Sequence, residues 1–170
     1  MMVGAGGEGG ALADSVRPAV VVPAGGGELL ELGRSGPRVL LSGAMSQGRL
    51  TVLEVEQPPG GGPPLHVHSR EDESFYVVDG SFTFECGTAV MEGDCGSFVS
   101  LPAGAPHRYR AGEAGGRLLM LFAPSGMEGY FRDWAGLVQS GEIGDAAMAR
   151  LAAQYGVQLL GSYPADPSRP

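Results

Sequence analysis

The stretch 60-GGGPPLHVHSREDESFYVVDG-80 decides how the rest of the chain is read. It holds two of the three histidines, His66 and His68, one residue apart, and three acids follow His68 within five positions. Residues two apart on a β-strand point to the same face, so both rings can reach one ion from one strand. Glu73 lies five residues after His68 and would face the other way on an unbroken strand. The polar run 69–72 permits a turn, after which Glu73 opens the next strand facing inward, with Phe75 and Val77 on its face. The third histidine, His107, follows LPAGAP, a proline- and glycine-rich turn. So sparing a use of histidine, so arranged, points to a metal site with the remaining chain as its container.

The surrounding sequence supplies such a container. Thirty glycines and thirteen prolines show no period, which excludes collagen; spread between short apolar runs they read as turns of an all-β domain. The runs PAVVVPAGGGELLELG (two short strands), RVLLSG, RLTVLEVEQ, 65–68, 73–78, SFTFEC, TAVMEGD, GSFVSLP, HRYRAG and GRLLMLFAP give about ten strands. Asp79-Gly80 reads as a hairpin turn, since both central positions of a type I′ turn need positive φ. A net charge of −8 argues against nucleic acid and anionic membrane as partners. No apolar run approaches membrane-spanning length, and the opening MMVGAGGEGGALADS lacks the pattern of a signal peptide, so the cytoplasm is expected.

The character changes after Pro124. Ser125 and Glu128 match a capping box, and Met127, Tyr130, Phe131, Trp134, Leu137 and Val138 recur at helical spacing. A second helix is predicted from Asp145 as N-cap to Gly156, and VQLLG can add a last strand. The expected organisation is a disordered tail over 1–16, a barrel over 17–124, helices and a strand packed on it over 125–163, and a tail over 164–170. Apolar edges near both ends, PAVVVP and VQLLG, suggest a homodimer.

At the histidines the chain resembles the cupin superfamily. Its first motif, a Gly, five residues, H-x-H, three or four residues, Glu, six residues, Gly, reads here as Gly60, His66, His68, Glu73 and Gly80. Its second reads as Gly96, Pro102, Gly104 and His107, with Ala111 in place of a final Asn that is variable in the family and not a ligand. The motifs cover about 60–111, and a looser likeness to small quercetinase-like cupins runs from about 37 to 160. The resemblance implies a double-stranded β-helix, or jelly-roll barrel, holding one divalent transition metal on His66, His68, Glu73 and His107. Three imidazoles and one carboxylate suit iron, manganese, cobalt, nickel or zinc, and leave two octahedral positions for water, substrate or dioxygen. One carboxylate against a 2+ ion leaves the site near +1, which would welcome an anionic enolate or phenolate. The activity implied first is a dioxygenase of quercetinase type on a small aromatic or enolic molecule, with Glu73 as ligand and proton acceptor. A non-redox isomerase, cyclase or decarboxylase is the alternative, and a small-molecule binder without turnover the third.

Plainer readings stand beside these. Motif register selects Glu73 over Glu71 and Asp72, which read as solvated turn acids. Phe75, Val77 and Tyr109 share inward parity and are candidates for the substrate pocket, although ordinary packing also accounts for Tyr109. Glu54 and Glu56 read as exposed strand acids before general bases, and Cys86 and Cys95 as small buried thiols. The aromatic stripe 127–138 reads as core that can also close one barrel mouth.

Overall fold

The computed structural model describes residues 18–33 and 36–161. The expected tails at 1–16 and 164–170 lie outside the described residues. The fold is all-β, of jelly-roll class, with a short helical segment at its C-terminal end. Its strands are β1 (Glu28–Leu29), β2 (Arg38–Leu41), β3 (Thr51–Gln57), β4 (His66–His68), β5 (Asp72–Cys86), β6 (Ala89–Asp94), β7 (Phe98–Leu101), β8 (His107–Ala123) and β9 (Val157–Leu159). Helix α1 (Gly43–Ser46) follows β2; α2 (Met127–Ser140) and α3 (Asp145–Gln154) precede β9. All strand pairs are antiparallel, and one path through the sheet runs β1-β2-β3-β8-β4-β9.

Two long strands, β5 and β8, form the spine. They pair from Asp72↔Ala123 to Cys86↔His107, and β3, β6 and β7 attach along them. The expected hairpin at Asp79-Gly80 does not form, and β5 runs through it. Register shifts between Val77 and Asp79 and between Gly80 and Phe82 mark bulges instead. Turn and bulge ask for the same backbone: Gly80 has φ +78°, and a Cβ there would lie 2.3 Å from the Gly115 carbonyl oxygen. The bulge has a consequence for packing. Inward residues of β5 are odd-numbered through Val77 and even-numbered from Phe82; β8 changes from His107, Tyr109 and Ala111 to Leu118, Met120 and Phe122. Each strand thereby feeds the interior along its whole length. Phe75, Phe84 and Tyr109 meet there with ring centroids 5.2–6.2 Å apart, distances at which aromatic pairs add to simple burial.

HRYRAG and GRLLMLFAP likewise belong to one strand, β8, and not two. Pro18–Val22 carries no strand: Val20 and Val21 are exposed and unpaired with the sheet, because β-propensity without a partner strand does not make one. Cys95 is exposed and not buried, on the turn between β6 and β7; Cys86 is half-buried.

Helix α2 is anchored by an acid. The N-cap is Gly126, and Ser125 makes no capping bond, so the expected capping box is absent. Glu128, 6% exposed, instead accepts hydrogen bonds from the Thr51 hydroxyl on β3 and from the backbone N–H groups of Gly43 and Gly126. Similarly, α3 is capped by Gly144, one residue before the expected Asp145. Burial would push the Glu128 carboxyl up, but these donors outweigh it and hold the group below its ordinary value of 4.5. A depressed carboxyl stabilises the fold above its unfolded value and ceases to as pH falls through its folded one. Glu128→Ala should therefore cost about 1.5–3 kcal/mol at neutral pH, the range for hydrogen bonds to a charged group. Urea unfolding should show that deficit shrinking below pH 4.5; a pH-independent deficit would contradict the ionic anchor.

Candidate metal centre

Three strands deliver the donors. His66 and His68 project inward from β4, Glu73 from the start of β5, and His107 from the start of β8, opposite His66. All four are buried, and one ligand atom from each lies within 4.8 Å of the others. Glu73 is at the centre: its Oε2 is 2.9 Å from His107 Nε2, 3.4 Å from His68 Nε2 and 3.8 Å from His66 Nε2. The sequence spacing thus brings together the residues it was expected to.

The backbone fixes which nitrogen each ring offers. His66 Nδ1 donates to the Pro64 carbonyl at 2.9 Å, and His107 Nδ1 to that of Ala105 at 2.8 Å. A carbonyl only accepts, so each Nδ1 carries the proton and each Nε2 faces Glu73. Burial would raise the Glu73 carboxyl, yet the hydrogen bonds from His107 and His66 and the charges of His68 and His66 hold it well below the carboxylate range. The complementary effect falls on His107. Burial opposes its protonation, but the hydrogen bond and charge of Glu73, with the Ala105 carbonyl, raise its pKa above 6.5. Three imidazole Nε2 atoms converging on an ionised carboxylate make a donor set that suits a divalent metal ion.

Glu71 departs from the expected solvated turn acid. It is 4% exposed, and its Oε2 lies 3.5 Å from His68 Nδ1. Only Asp72 is exposed as expected, and it accepts a hydrogen bond from the Ala103 N–H at 2.8 Å. Sequence reading missed Glu71 because no local pattern distinguishes a turn acid folded inward from one in water.

The cluster opens into a cavity of about 240 Å³. Tyr109 lines it, and Gln57 Nε2 donates to the Tyr109 hydroxyl at 2.7 Å. Phe75 and Val77, expected on the pocket wall, share the inward face of Glu73 but are fully buried in the core and do not line the cavity. Met127, Tyr130, Phe131 and Trp134 of α2 also line it, so part of the aromatic stripe meets the cavity as well as packing. Glu56 stands exposed at the rim, while Glu54 faces Arg117 at 3.4 Å.

Comparison with known proteins agrees with this architecture. Residues 53–123 match the family model described as a cupin domain. Quercetin 2,3-dioxygenase of Bacillus subtilis (strain 168) is 26% identical over 112 residues, 66% of this chain and 33% of that protein. The chain therefore spans about a third of the length of that relative. KdgF from Halomonas sp. has a similar fold, with 22% identity over 55% of this chain and 81% of its own, at a TM-score of 0.50. An RmlC-like cupin from Shewanella frigidimarina NCIMB 400 shares 18% identity over 66% of this chain and 98% of its own, at 0.54. Among the described residues, no helix is long and apolar enough to cross a membrane.

Two outcomes test the centre. His66→Ala with His68→Ala should abolish metal uptake measured by elemental analysis; stoichiometric metal in that protein would place the site elsewhere. Because His107 keeps its proton to higher pH than an ordinary histidine, an incoming ion has to displace it. Metal affinity should therefore fall as pH is lowered, beginning above 6.5. Calorimetry in two buffers of different ionisation enthalpy should record proton release, and an affinity flat from about pH 8 to 6 would refute this.

Proposed function

We propose that this member of the cupin superfamily is a metal-dependent enzyme acting on a small aromatic or enolic molecule, with dioxygenase chemistry of quercetinase type as the first reading. The observation that carries it is a buried cluster of three imidazoles and one carboxylate opening directly into an aromatic-walled cavity. The distant likeness to quercetin 2,3-dioxygenase points the same way. A divalent transition metal held by His66, His68, Glu73 and His107 supplies Lewis acidity and, if redox-active, a route for electrons to dioxygen.

The chain's own residues do the rest. Glu73 lines the cavity beside the other donors and would accept a substrate hydroxyl proton there, the role the resemblance implies. Tyr109, braced by Gln57, gives the cavity wall a polar point at which a substrate oxygen can be oriented. Met120, Phe122, Tyr130 and Trp134 offer flat apolar surface and exclude water. At about 240 Å³ the cavity falls below the usual ~300–1,000 Å³ of drug-sized sites, which favours a compact ligand. That volume also sustains the second reading, a non-redox isomerase, cyclase or decarboxylase on a smaller substrate, and behind it a binder without turnover. The proposal extends to a homodimer, supported by β1 and β9 ending the sheet path near the two ends of the chain; a monomer mass by light scattering at micromolar concentration would count against it.

A flavonol or smaller hydroxy-ketone added to iron-, manganese-, cobalt- or nickel-loaded protein should absorb at longer wavelength as it binds. Under air it should disappear with stoichiometric dioxygen uptake, and Glu73→Ala should abolish that loss. Binding without uptake for every metal would overturn the dioxygenase reading in favour of the non-redox one.

A further inference from the structure

We propose that Glu71 is a positioning residue of the metal centre: its carboxylate accepts the Nδ1 proton of His68 and makes that ring a stronger ligand than its two neighbours. The proposal rests on the reading of the cluster as a metal site and goes beyond its four donors. A carboxylate only 4% exposed is costly unless something compensates it. Among the described residues, Glu71 Oε2 and His68 Nδ1 are both buried without a hydrogen-bond partner, and they face each other at 3.5 Å. That gap is longer than a good hydrogen bond, but each atom is what the other lacks. The ring also turns its Nε2 towards Glu73 Oε2 at 3.4 Å. A histidine that ligates through Nε2 carries its proton on Nδ1, and Glu71 Oε2 is the acceptor in reach.

The other two rings are served differently, by the neutral carbonyls of Pro64 and Ala105. A charged acceptor makes the stronger hydrogen bond and leaves more electron density on the ligating nitrogen. The turn is built to hold Glu71 inward while its neighbours Ser69, Arg70 and Asp72 are exposed. Asp72 ties it to the Ala103 N–H, the His68 carbonyl accepts from the Gly104 N–H at 2.7 Å, and the Ser69 N–H donates to the Gly156 carbonyl at 2.9 Å.

The test uses the full chain, stripped of metal and titrated with Zn(II) against a chromophoric chelator. Glu71→Gln keeps the shape and an acceptor oxygen but removes the charge. Its affinity should drop roughly 10–100-fold, the usual effect of losing such an outer partner, with the metal-free melting temperature unchanged. Glu71→Asp should recover part of the loss, and Glu113→Gln, an exposed acid elsewhere, should lose nothing. In the zinc-loaded wild type with ¹⁵N-labelled histidine, the Nδ1–H proton of His68 should lie furthest downfield of the three and move upfield in Glu71→Gln. Undiminished affinity in Glu71→Gln overturns the proposal. So does a loss matched by an equal fall in metal-free stability. A His68 proton upfield of the other two in the wild type does the same, even if no variant folds. Wild type that binds no zinc would instead sink the metal reading itself.

Discussion

The structure turns on one buried negative charge. Glu73 is 2% exposed and ionised, and a carboxylate in that position has to be met by positive or hydrogen-bonding groups. Three rings meet one of its oxygens, and they come from strands that must be held in register to do so. The strand bearing two of them is short. Its register with β8 is the single pair His66↔His107, whereas β9 pairs with all three of its residues. Further bonds, from the Ser69 N–H to the Gly156 carbonyl and from the Leu160 N–H to the Leu65 carbonyl, extend that clamp at both ends. The segment remotest from the donors in sequence therefore fixes two of them in space. The helices between β8 and β9 serve this too, since they return the chain to the edge of β4.

The four donors were legible because a strand has a period of two and a metal needs several ligands at one point. His66 and His68 satisfy the first, and the turn before Glu73 restores inward parity. Strand continuity was not legible. Asp79-Gly80 and the glycines at 112, 115 and 116 read as breaks, yet they are where long strands bulge and change inward parity. A glycine that permits a turn permits a bulge equally, and only the neighbouring strand decides between them. Phe75 and Val77 show a second limit. Parity states that a side chain faces inward, but not whether it meets a cavity or other side chains. Pocket or core is settled by the tertiary packing of Phe84 and Tyr109 around Phe75.

Glu71 also alters the charge balance at the centre. Counting Glu73 alone, a 2+ ion leaves the site near +1 and an anionic substrate is drawn in by net charge. Under the proposed role of Glu71, a second acid stands 3.5 Å behind the His68 ring, so Glu73 is not the sole acidic group beside the ion. For the proposed enolate or phenolate, recognition would then rest on its donor atoms and on the cavity wall, both of which require correct geometry. The proposed site would accordingly discriminate by shape and donor atoms more than by charge, in keeping with a protein whose own net charge is −8.

The cavity and the donors draw on different parts of the chain to different degrees. The stretch that matches the cupin family model, residues 53–123, contains all four donors and the strands that bear them, while β9 lies beyond it. The cavity lining is shared: Val55, Tyr109, Met120 and Phe122 come from within that stretch, and Met127, Tyr130, Phe131 and Trp134 on α2 with Val157 and Leu159 on β9 from beyond it. These side chains are partly core, so their size is constrained by packing as well as by the ligand. Tyr130 touches the rings of Phe131, Trp134 and Tyr155 at 5.2–5.9 Å, and a change at one must be accommodated by the others. The barrel can thus keep a metal centre fixed while the C-terminal helix redraws the cavity. A side chain exchanged on α2 would therefore alter the cavity without touching a donor, whereas one exchanged at Tyr109 or Met120 would alter it from within the barrel.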